Sequence, residues 1–111
     1  MQVNEDNIQE RRGYPRVKKL YLLSYVNKES GRQVSPVLMG RTLDVSPSGV
    51  RVEVFQRIGI NSEMELEIAC NEESITAKGV VVRSNRTGNE VFVVGIKFNE
   101  SQPLLAERPL P

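Results

Sequence analysis

The chain contains no histidine. It therefore lacks the commonest general base and the commonest metal ligand among side chains. Cys70 is its one cysteine, which excludes a disulfide or a thiolate metal cluster within the chain. Aromatic residues make up 5% of the sequence, too few to supply the stacking platforms of a single-strand nucleic-acid binder. Net charge is scarce too: 15 lysines and arginines against 14 acids leave +1. The pI of about 7.9 falls short of the value of about 9 or more usual for a nucleic-acid-binding domain. No apolar run approaches the roughly 18 residues that suggest a transmembrane helix. The opening MQVNEDNIQE is polar and acidic, without the basic and apolar regions of a secretory signal. The expectation is a cytoplasmic protein without membrane insertion, and with neither nucleophile–base pairing nor a phosphate-cradling glycine loop, not an enzyme.

What is present suits one soluble domain with one modest core: 111 residues, 39% apolar and 26% charged. The dominant pattern has period two. In GVRVEVF, Val50, Val52 and Val54 share one face and Arg51 and Glu53 the other. In EMELEIAC, Met64, Leu66, Ile68 and Cys70 alternate with Glu63, Glu65 and Glu67. In EVFVVGIKF, Phe92, Val94, Ile96 and Phe98 form one face. Such alternation marks half-buried antiparallel strands.

Three further segments read as strands: KKLYLLSYV (18–26), SITAKGVVVRS (74–84) and PVLMGRTLDV (36–45), the last bent at Gly40. Turns are expected at NKESG, RIGINS, CNEES and NRTGN. About six strands with short connections suggest a small all-β barrel or sandwich, and closure into a barrel removes exposed edges. The organisation expected is a flexible arm at 1–10, a barrel domain at 11–99 that includes a basic segment, and an irregular tail at 100–111. The tail carries three prolines in SQPLLAERPLP, which argue against a long final helix.

Charge concentrates at one place. QERRGYPRVKKL, residues 9–20, holds three arginines and two lysines. Gly13 and Pro15 disfavour a helix there, and Pro15 pushes Tyr14 toward an extended conformation. The arginines then sit on an irregular arm. Guanidinium groups bind phosphate in a fork, stack on aromatic planes and match the O6 and N7 acceptors of guanine. A second constellation is DVSPSGV, residues 44–50. Asp44 offers a carboxylate for the N–H groups of a base and Ser46 a hydroxyl. Pro47 suits the second position of a β-turn, and Gly49 permits close approach. Both Asp44 and Ser46 also suit plain turn capping. Arg41 is expected to form a salt bridge near Asp44, Cys70 to lie on a buried face, and the three glutamates of 63–67 to face solvent.

An R-x-x-x-R spacing at Arg12 and Arg16, D-x-S-x-x-G at Asp44, Ser46 and Gly49, and then GVVVRS followed by VGIKF, all set among small-barrel strands, resemble the PilZ domain, the bacterial receptor module for cyclic di-GMP. The resemblance spans roughly residues 10–99. It implies a six-stranded antiparallel β-barrel of Greek-key type. It implies that Arg12 and Arg16 contact guanine and phosphate, and that Asp44, Ser46 and Gly49 line the ligand from a turn below. Arg11 is a further contact bearing on whether one or two ligand molecules bind, and Arg83 is a candidate for stacking. Cyclic di-GMP is then a ligand and no cofactor is implied. Signalling by ordering of the arm, read by an unidentified downstream protein in a process such as motility or biofilm formation, is the implied mechanism. The rival is an interaction adaptor of the same fold that binds no nucleotide. The proline-containing tail departs from the C-terminal helix of many members.

Overall fold

The computed structural model describes residues 16–106. The expectations for residues 1–15, Arg11 and Arg12 included, and for 107–111 lie outside the described residues. Eight strands follow in chain order: β1 (Val17–Lys18), β2 (Leu22–Glu29), β3 (Arg32–Gln33), β4 (Leu38–Ser46), β5 (Gly49–Val54), β6 (Glu63–Cys70), β7 (Glu73–Gly88) and β8 (Val91–Phe98). Six of them close a barrel in the order β4-β5-β8-β7-β6-β2, with β2 returning to β4. All the pairings are antiparallel. The β5–β6 connection passes over β8 and β7, which gives the Greek-key character. The two-residue strands β1 and β3 attach outside this ring, on β4 and β2. The expected all-β, six-stranded antiparallel barrel is thus the fold.

The period-two faces become the core. Val50, Val52 and Val54 of β5, Leu66 and Ile68 of β6, and Val94 and Ile96 of β8 are all at most 1% exposed. Cys70 is buried with them, and Glu63 and Glu67 face outward beside the Lys28–Glu65 ion pair. Each buried aliphatic side chain contributes roughly 1.5–3 kcal/mol of hydrophobic stabilisation.

Three local expectations are corrected and one is met. The segment 18–26 is two strands, broken at residues 19–21. The break is held by the buried Thr42: its Oγ1 donates to the Lys19 carbonyl and accepts from the Tyr21 amide at 2.8 Å, and its own amide donates to the Tyr21 carbonyl. The bend in β4 is a bulge between Thr42 and Asp44, not a kink at Gly40. Gly40 instead admits close approach of β5, since a Cβ there would lie 2.8 Å from the Glu53 carbonyl oxygen. NRTGN is mostly strand: β7 runs to Gly88 and only Asn89–Glu90 turn, with Glu90 at φ 58°. Arg41 forms the expected salt bridge, with Glu53 at 2.8 Å, because both lie on the outward face in direct register.

The β4–β5 hairpin turns on Pro47 and Ser48, with Ser46 opposite Gly49. Proline fixes a negative φ, so the turn cannot be the mirror-image type common in two-residue hairpins. Gly49 is not required for backbone freedom, for its φ is not positive. It is required for space: a Cβ would meet the Ile96 carbonyl oxygen at 2.5 Å. After β8 the chain folds back over this hairpin. The Phe98 amide donates to the Ser48 carbonyl (2.9 Å) and the Gln102 amide to the Pro47 carbonyl (2.8 Å). A single 3-10 turn, Pro103–Leu105, then buries Leu105 in the core. The described part of the tail, 100–106, has only this one turn and is docked.

Two substitutions test this packing by denaturant unfolding. Gly49→Ala is expected to cost about 1–3 kcal/mol because β8 must shift to admit one methyl group. Leu105→Ala is expected to cost about 2–5 kcal/mol as a buried leucine is truncated. A loss below about 0.5 kcal/mol for Leu105→Ala would show that the tail does not belong to the folded core.

Candidate functional site

The bulge at Leu43 sets the site. Below it, β4 alternates normally, with Gly40 and Thr42 buried and Met39 and Arg41 exposed. Above it, the extra residue shifts the phase, so Val45 enters the core and Asp44 takes the outward side. Asp44 is nevertheless only 6% exposed. Two arginines cover it. Arg16 Nη1 donates to Oδ1 at 2.6 Å and Arg51 Nε donates to Oδ2 at 2.6 Å. Charge-assisted bonds of this length are the strong class of side-chain hydrogen bond. The arginine side chains stay about half exposed, at 48% and 51%, so the guanidinium groups form a cationic rim around a nearly buried carboxylate.

Arg51 was not singled out by sequence reading as a site residue. Its signal is the hairpin register. A two-residue turn at Pro47–Ser48 pairs Ser46 with Gly49, Val45 with Val50 and Asp44 with Arg51. An acid and a base directly opposite on one face are a favourable cross-strand pair, legible once the turn length is fixed.

The register extends further. Lys18 lies opposite Asp44, Arg51 opposite Gly95, and Gly95 opposite Arg83. The positions form one cross-strand row over β1, β4, β5, β8 and β7, at about 4.8 Å per strand. Arg83 thus stands two strands from Arg51, across a position without a side chain. The glycine there is not forced by the barrel: a Cβ on Gly95 would meet Arg83 Cβ at 3.5 Å and Val82 Cγ2 at 3.9 Å, ordinary contacts. Gly79, by contrast, faces a backbone oxygen at 2.5 Å. Packing explains Gly49 and Gly79 but not Gly95.

Of the sequence-derived candidates, the structure brings Arg16 onto Asp44 and puts Arg83 in the same row. Arg11 and Arg12 lie outside the described residues. Ser46 is buried, and its hydroxyl is engaged within the turn. It lies 3.1 Å from Ser48 Oγ, accepts from the Ser48 amide and donates to the Gly49 carbonyl, both at 3.3 Å. Those contacts are the local capping role. Gly49 is committed to the contact with β8. Among the described residues no group of three or more acidic, cysteine or histidine side chains could hold a metal ion, and no helix is long and apolar enough to cross a membrane. The arrangement offers guanidinium donors to an anion: a rim anchored on one carboxylate, with a further arginine along the row.

No curated protein matches the chain closely enough to name. A family model described as the PilZ domain matches residues 10–108, which takes in Arg12, Arg16, the Asp44–Gly49 turn and all eight strands. The chain belongs to the PilZ domain family, a family of binding and adaptor domains that includes receptors for cyclic di-GMP.

Proposed function

We propose that the protein is a cyclic di-GMP receptor of the cytoplasm. The observation that carries this reading is the contact between Arg16 and Asp44, 28 residues apart, at 2.6 Å. The second arginine of R-x-x-x-R and the acid of D-x-S-x-x-G share one spot on the barrel wall. Cyclic di-GMP carries two phosphate charges and two guanines. Guanidinium groups answer both, as forks on phosphate and on the O6 and N7 edge, and as planes for stacking. In this reading Arg12 and Arg16 bind from the arm, with Arg11 beside them. Arg83 offers a stacking plane from β7, and Asp44, Ser46 and Gly49 form the floor. One or two ligand molecules are accommodated.

Fixing the arm against the turn costs roughly 1–2 kcal/mol per backbone residue ordered. Several charge-assisted bonds, each worth about 1.5–3 kcal/mol, offset it. The altered surface is then read by a separate protein. No chemistry is performed.

The rival reading, an adaptor that binds no nucleotide, is favoured by one observation. Leu20, Leu22, Met39 and Phe55 are large apolar side chains, each at least 59% exposed. Leu22 is opposite Arg41 and Met39 opposite Ser24 on the adjoining strands.

Isothermal titration of cyclic di-GMP into the folded protein separates the two. Saturable binding with one or two ligands per chain is expected. The Arg12→Ala, Arg16→Ala double variant is expected to lose about 100-fold or more in affinity, since two charged contacts are removed. Absence of binding by the folded wild-type protein would overturn the receptor reading and leave the adaptor.

A further inference from the structure

Resting on the receptor reading, we propose that Arg51 is a positioning residue of the ligand site: it keeps Asp44 paired when Arg16 leaves for the ligand.

The two arginines on Asp44 are rooted differently. Arg51 lies within β5, between the buried Val50 and Val52, with β4 laddered on one side and β8 on the other. Its backbone cannot withdraw without opening the barrel. Arg16 precedes β1 and lies outside any ladder. It is the partner able to move. Each takes a separate carboxylate oxygen, Oδ1 for Arg16 and Oδ2 for Arg51, so one bond can break while the other persists.

That division matters because Asp44 is 6% exposed. A nearly buried carboxylate that lost its sole cation would be left without compensation, and the transfer of Arg16 to a phosphate would be opposed by the charge left behind. With Arg51 in place Asp44 stays ion-paired throughout. Arg16 exchanges one anion for another, and its release becomes cheap. Arg51 reaches Asp44 through a single bond from Nε, so a point charge of similar length can substitute, although lysine lacks the fork.

Two measurements test this. The first needs no ligand: thermal unfolding of Arg16→Gln, Arg51→Gln and the double variant. Either arginine alone satisfies Asp44, so the double variant is expected to lose more melting temperature than the two single losses combined. In an Asp44→Asn background the losses are expected to add. Simple additivity with Asp44 intact would overturn the proposal. The second is titration with cyclic di-GMP. Arg51→Gln is expected to weaken binding about 30-fold, and Arg51→Lys to recover most of that loss. Unchanged affinity in Arg51→Gln, or a lysine variant as weak as the glutamine one, would overturn the role of Arg51 while leaving the receptor reading intact. No binding by the folded wild-type protein would overturn both.

Discussion

The double pairing of β4 is the constraint on which the molecule depends. One edge of this strand carries β5 from Arg41 to Ser46. The other carries β2 over its first half and β1 over its second. The pairing with β2 closes the barrel, and the pairing with β1 brings Arg16 to the wall. The bulge at Leu43, in the ladder with β5, lies where the neighbour on the other edge changes from β2 to β1. Bulges re-aim side chains beside functional sites. Here the bulge sends Val45 into the core and puts Asp44 under the arginines.

From that constraint the electrostatics follow. Asp44 neutralises one of the two guanidinium charges bonded to it, so this contact alone keeps one positive charge in a chain whose total is +1. Elsewhere on the barrel, two acids hold cations of their own. Glu53 holds Arg41, and Glu65 holds Lys28. Lys28 also lowers the ionisation range of the Glu65 carboxyl, by a hydrogen bond first and by charge second. These surface pairs are partly exposed and contribute little stability.

The fold was legible because its strands bury one face each. Val50-Val52-Val54 and Met64-Leu66-Ile68-Cys70 could hardly be read otherwise, and the observed cores follow them. What the local pattern missed was everything set by pairing between distant segments. The break at residues 19–21 depends on Thr42, and the bulge at Leu43 on the pairing of β4 with β5. In the candidate site, the two motifs implied that Arg16 and Asp44 face one ligand, but not that they bond to each other, while Arg51 was seen only as the polar side of a strand. Its role needs the hairpin register, which one proline-containing turn determines. Gly49 was read as a place for close approach; what approaches is β8.

The order of pairing also bears on how the chain folds as it is synthesised. The β4–β5 hairpin, with its Asp44–Arg51 pair, is local and can form as soon as Val54 has emerged. Its second neighbour cannot: Val54 waits for Phe92 and Gly49 for Lys97. Topologies rich in such non-local pairing fold slowly. Until β8 arrives, β5 is an open edge with three valines on its inner face, the kind of surface that recruits other chains. The cationic Arg51 on its outer face then has a second use, as a charge on an edge strand not yet covered.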